Sequence, residues 1–166
     1  MQLYDANGTI VGSVFGGGSI TYGQGLALAP VNGERLAIPY IFGNRDGNGN
    51  VMGPELNLAK SGDVYFTSSD CSGTPYVYEG FLSPGTSKPF AILQSDSQYV
   101  IYLANTTIPV QINGGSLLMA GYTSRDMDGN IVTTPASCYT TSMSVWAVPV
   151  SNPPIYPNWV YPFSIQ

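Results

Sequence analysis

The sequence predicts an all-β fold: an antiparallel β-sandwich or small β-barrel of many short strands, with a proline-rich extended C-terminal segment. Three observations predict it. Apolar residues come in short runs, broken roughly every 8–12 residues by Gly, Pro, Asn or Ser, which is the rhythm of consecutive short strands. Three segments share the order Asp-x-(Asn/Asp)-Gly ahead of an apolar run, the chemistry of hairpin turns. No window repeats apolar residues at i, i+3, i+4 and i+7 over three turns, so no long amphipathic helix is encoded.

Strands are expected at residues 9–15, 19–22, 36–42, 64–67, 76–78, 90–94, 99–104, 108–112, 116–123, 131–134, 142–150 and 160–165. The run at 99–104 alternates, with Gln98, Val100, Tyr102 and Ala104 on one face and Tyr99, Ile101 and Leu103 on the other. Both faces are largely apolar, which places that strand between two layers. The longest helix-tolerant stretch, 54–60, has room for one or two turns. The three turn segments start at Asp5-Ala6-Asn7-Gly8, Asp46-Gly47-Asn48-Gly49 and Asp126-Met127-Asp128-Gly129. Asn-Gly and Asp-Gly tolerate positive φ, and the leading Asp can accept backbone N–H groups. Residues 1–148 are read as a single β domain. Residues 149–166 carry five prolines among aromatics, which favours an extended path packed on the domain or on a neighbouring subunit.

Composition narrows the function. At 166 residues the chain is long enough for one domain with a real core. Charged residues are 9% of the chain, against about 25% in ordinary domains. Ten acidic and five basic residues leave a net charge of −5, too few cations to neutralise a phosphate backbone, so nucleic acid is not an expected partner. With no histidine, Ser-His-Asp catalysis and imidazole metal sites are excluded. No apolar run reaches the ~18 residues of a membrane-spanning helix, and membrane insertion is not expected. The start of the chain lacks a basic region followed by an apolar stretch, so an exported protein would be present here as a mature form or a fragment.

Candidate functional residues follow from this. Cys71 and Cys138 sit in polar contexts, Ser-Asp-Cys-Ser-Gly and Ala-Ser-Cys-Tyr, and in an oxidising compartment they would form a disulfide; two inert thiols are the alternative. Closing a loop of that length contributes about 4 kcal/mol in the chain-entropy model. Asp46, Asn48 and Asn50 present oxygens at alternate positions, a candidate Ca²⁺ site, but the glycine and glutamate of an EF-hand loop are missing, and a bare hairpin turn is the simpler reading. No other metal and no cofactor is expected. Gly16-Gly17-Gly18 lacks the Lys-Ser/Thr of a phosphate loop and reads as a loop or bulge. No catalytic residue stands out; the scattered carboxylates, Glu34, Glu55, Asp63, Asp70, Glu79 and Asp96 among them, leave only a carboxylate-dependent glycosidase as an enzymatic alternative. Twelve Tyr and two Trp exceed the needs of one core, and the aromatics of the last segment, Tyr156, Trp159, Tyr161 and Phe163, are candidate binding or interface residues. Asn7-Gly8-Thr9 and Asn105-Thr106-Thr107 are formal glycosylation sequons.

The stretch Val64-Tyr65-Phe66-Thr67-Ser68-Ser69-Asp70-Cys71-Ser72-Gly73-Thr74-Pro75-Tyr76 resembles the Leu-Tyr-Phe-x-x-x-x-Cys-x-Gly-x-Pro-Tyr segment of a loosely defined group of uncharacterised exported bacterial proteins, with Val64 in place of Leu. The opening around Asp5, the second cysteine and the ending Pro162-Phe163-Ser164-Ile165 are similar to that group too. The resemblance implies an extracytoplasmic β domain, sometimes at the end of a fibre-like polypeptide. It carries no activity, cofactor or catalytic residue. The expected role is non-catalytic: a structural or adhesive domain on a cell surface, in the extracellular space or on a virion, with a filament or fibre subunit as one form of it. Its expected partners are copies of itself or other subunits of a surface assembly; the alternative is a glycan-binding module using exposed Tyr and Trp.

Overall fold

A computed structural model describes residues 1–15, 24–45, 51–58, 63–78, 88–95, 98–119, 121–125, 128, 130–150, 154–161 and 163–166. The fold is all-β and antiparallel throughout, with fourteen strands among the described residues. In chain order they are β1 (Gln2–Tyr4), β2 (Ile10–Phe15), β3 (Gln24–Val31), β4 (Glu34–Arg45), β5 (Val51–Leu58), β6 (Val64–Phe66), β7 (Tyr76–Tyr78), β8 (Phe90–Ser95), β9 (Gln98–Leu103), β10 (Val110–Met119), β11 (Tyr122–Arg125), β12 (Ile131–Thr134), β13 (Ser137–Pro149) and β14 (Ser164–Ile165). Six of them form one sheet in the order β14-β1-β2-β3-β4-β5. A second set, β10-β13-β7-β6, closes on itself as a small ring, and β8–β9 and β11–β12 are separate hairpins.

The arrangement is sandwich-like, and the β8–β9 hairpin forms its centre. Alternation sends Phe90, Ile92, Tyr99, Ile101 and Leu103 into a core shared with Leu3, Val11, Leu36 and Ile38 of the six-stranded sheet. The intervening Ala91, Leu93 and Ala104 meet Val64, Phe66, Val77 and Val148 of the ring. The strand expected at 99–104 is thus buried on both faces, as its two apolar sides require. A third, smaller cluster of Tyr65, Ile112 and Ala147 belongs to the ring alone.

The turn chemistry at Asp5 works as its residues suggest. Asp5 heads the β1–β2 hairpin. Its Oδ1 accepts the N–H groups of Asn7 (3.0 Å) and Thr9 (2.7 Å), and Gly8 has a φ of 77°. The other two Asp-led segments fall between strands that pair with each other, Arg45 with Val51 and Arg125 with Ile131.

Three elements differ from expectation. β3 forms where no strand is expected; its inward side is Gly25, Ala27, Ala29 and Val31, small residues but for the last, and its two-residue turn into β4 is Asn32-Gly33, both at positive φ. Residues 54–58 are not helical but part of β5, whose place at the edge of the sheet admits Pro54. The two strands expected at 108–112 and 116–123 are largely one, β10, continuous through Asn113-Gly114-Gly115; Met119 ends it and Tyr122 begins β11. Gly115 is no turn: it lies opposite a bulge at Thr141-Ser142 of β13, and a Cβ there would sit 2.5 Å from the Ser68 carbonyl oxygen.

Past Pro149 the chain stays on its own domain. Ala104 pairs with Val150 and Ile101 with Ile155, so this segment runs beside β9. Trp159 and Phe163 enter the main core, the Phe163 ring meeting Tyr99 edge-on at 5.5 Å. β14 then pairs with β1, which brings the two chain ends together. Strand structure in this last expected run covers only Ser164–Ile165.

Candidate functional site

Cys71 and Cys138 are bonded to each other, Cα to Cα 6.0 Å, joining the β6–β7 loop to the start of β13. Cys138 lies in a strand, not in a turn. The loop, residues 67–75, is ordered from within. Ser68 Oγ accepts from the Ser72 amide at 3.0 Å and donates to the Ser72 carbonyl at 2.7 Å. Cys71 holds a φ of 56°, uncommon for a residue with a side chain. Its amide donates to the fully buried Ser116 Oγ at 2.8 Å, which ties the loop to β10. The Asp70 carboxylate accepts from the Ser72 hydroxyl (2.6 Å) and amide (3.2 Å). These bonds, the Ser72 hydroxyl foremost and then Ser68, hold its pKa below the usual carboxylate value. Of the marked positions of the segment, Val64 and Phe66 lie in the core between the ring and β8–β9, Tyr65 lies in the ring's own cluster, and Gly73 holds a φ of 84°.

The ring carries the exposed aromatic surface. Tyr78, Ile108, Val110, Tyr139, Met143 and Trp146 all lie on β7, β10, β13 or the approach to β10, and Trp146 is 51% exposed. Beside Trp146 on the same face, Gln111 donates to the Ser144 hydroxyl at 3.0 Å. Trp146 belongs to the surplus of Tyr and Trp over the needs of one core, outside the last segment from which the candidate aromatics are drawn. The four aromatics of the last segment separate sharply: Trp159 (9%) and Phe163 (3%) are core residues, Tyr161 is half-buried against the same core, and Tyr156 (58%) faces outward. Of these four, Tyr156 offers the widest contact surface.

Tyr156 belongs to a cleft of about 350 Å³ where β9, the end of β10 and the C-terminal segment meet, lined also by Gln98, Val100, Tyr102 and Leu118. Burial raises the pKa of Tyr102, and the neighbouring Tyr156 adds to the effect, so the Tyr102 phenol is protonated at neutral pH.

Three of the described carboxylates, Asp5, Glu34 and Asp70, have structural partners. Asp5 caps the first hairpin and also accepts the Val160 amide at Oδ2 (3.1 Å). Glu34 pairs with Lys88 at 2.6 Å. Asp70 is held inside its own loop and shifted away from the raised pKa a general acid needs. Among the described residues no group of three or more Cys, Asp or Glu is placed to hold a metal ion. Asp46, Asn48 and Asn50, Gly16-Gly17-Gly18 and the carboxylates of Glu55, Glu79 and Asp96 lie outside the described residues and side chains. No described helix is long and apolar enough to cross a membrane.

No family model, curated protein or solved structure matches the chain.

Proposed function

We propose that this chain is a non-catalytic structural or adhesive domain of an extracellular or virion-surface assembly, a filament or fibre subunit whose ring face packs on neighbouring subunits. The observation that carries the reading is the exposure of Trp146 and Tyr139 on β13, with Val110, Met143 and Tyr78 exposed on the other face of the same strands. Interface centres are rich in Trp, Tyr and Met and poor in charge, and this chain has little charge to place there. The Cys71–Cys138 bond supports a location where thiols oxidise. The resemblance of the Cys71 segment to exported bacterial proteins points the same way.

The test is Trp146→Ser combined with Tyr139→Ser. Both side chains are more than half exposed, so the fold should persist by near-ultraviolet circular dichroism. Sedimentation and electron microscopy should show native oligomers or filaments that the double variant fails to form. A native protein that stays monomeric at every concentration would defeat the proposal.

A further inference from the structure

We propose that the cleft between β9, the end of β10 and the C-terminal segment is a binding site for one neutral sugar unit. The inference is independent of the assembly role. The antiparallel pairing of Ile101 with Ile155 sets Tyr156 opposite Val100, on the face of β9 that also bears Gln98 and Tyr102. Two phenol rings thus share one side of a cleft with an aliphatic floor of Val100 and Leu118. Each polar group at its rim, the two hydroxyls and the Gln98 amide, can both donate and accept. No charged side chain appears among the described lining residues.

That lining selects its occupant by chemistry. Tyrosine faces and aliphatic groups take a flat apolar ring face, while groups that donate and accept match hydroxyls around the ring's edge. The absence of a lining cation disfavours a sialylated or phosphorylated ligand, and the chain's net charge of −5 opposes one further. A volume near 350 Å³ lies at the lower end of the range of about 300–1,000 Å³ typical of small-ligand sites, enough for one sugar unit or two. A proline-rich peptide would also lie on tyrosine rings, but its prolines have no N–H to give, and the acceptors of the rim would go unused.

The experiment uses the intact oxidised chain. Glucose, galactose, mannose, N-acetylglucosamine and their neutral disaccharides are screened by saturation-transfer NMR, with sialyllactose and a proline-rich decapeptide as the competing arms. At least one neutral sugar should bind. Tyr156→Ser should weaken that sugar about tenfold, the scale of one lost ring contact. Tyr102→Phe should weaken it several-fold without lowering Tm, because only the hydroxyl is removed. Val132→Ser, an exposed change on β12, should leave binding as it was. Binding of none of the neutral sugars overturns the proposal. So does binding insensitive to Tyr156→Ser, equal loss in Val132→Ser, or preferential binding of sialyllactose or the peptide.

Discussion

Replacing both bridge cysteines, Cys71→Ser with Cys138→Ser, tests how the ring is held closed. The bond spans a sequence separation of 67 residues. Releasing a loop of that length in the unfolded chain costs the fold about 4 kcal/mol in the chain-entropy model. Domains have only about 5–15 kcal/mol in all, so the loss is a large share of the total. For a chain of this size about 2–4 °C of Tm accompanies each kcal/mol, which sets the expected fall at about 8–16 °C. The folded state should lose less than its covalent link suggests. The Ser116 hydroxyl still accepts the residue-71 amide, and Ser68 still closes the loop onto Ser72. The effect should therefore come chiefly from the unfolded side, where freeing the chain exposes more surface and steepens the dependence on denaturant. Urea unfolding of the oxidised protein, the reduced protein and the double variant measures this. The last two should agree with each other and show a larger m than the first. A double variant within about 1 kcal/mol of the oxidised protein, with an unchanged m, would refute the entropic account.

Two further outcomes follow from single groups. Asp5→Ala removes a buried acceptor of three backbone N–H groups, and should cost about 2–3 kcal/mol in urea unfolding, hydrogen bonds to a charged group being among the stronger ones; a loss under about 0.5 kcal/mol would show that water replaces the carboxylate. Burial, with Tyr161 adding to it, drives the pKa of Tyr99 above its ordinary value, so its contribution is complete below about pH 10 and drains away as pH rises toward the folded value. Stability should hold through neutral pH and decline above about pH 10, less steeply in Tyr99→Phe; identical alkaline limbs for the two proteins in a Tm series would rule Tyr99 out as a source.

Much of the layering was legible because β9 alternates two apolar faces, and a strand apolar on both sides has to lie between layers. The first hairpin was legible for a local reason: Asp5 reaches its donor partners within four residues. β3 was hidden because Leu26, Ala27, Leu28 and Ala29 are apolar on both sides and show no alternation, while Gly25 is small to make room for Tyr40 of β4. The continuity of β10 was hidden because Gly114-Gly115 looks like a turn until the β6–β7 loop is seen to press against it. Which aromatics face outward depends on pairings between distant segments. Trp146 and Trp159 both sit among apolar neighbours, yet one is exposed and the other buried. The cleft shows the same limit, since the shared face of Gln98 and Tyr102 can be read from alternation, whereas the arrival of Tyr156 beside them needs the Ile101–Ile155 pairing.

The path of the tail also decides how assembly can be tested. Deleting residues 152–166 looks like a direct way to remove a sticky segment, but it would take Trp159 and Phe163 out of the main core and β14 off β1. Truncating a buried Phe or Trp costs about 3–5 kcal/mol, so losing both approaches or exceeds the whole stability of many domains. It would also cut the bonds by which Val160 joins Asp5 and Ala6. A truncated chain that failed to assemble would then report unfolding, and nothing about contact between subunits. Point changes at exposed positions avoid this. Tyr156 and Val160 on the tail, and Trp146 on the ring, can each be made polar with little loss from the core. If subunits meet through the ring, Trp146→Ser alone should impair assembly while Tyr156→Ser and Val160→Ser leave it intact. The reverse pattern would move the contact to the tail without disturbing its place in the fold.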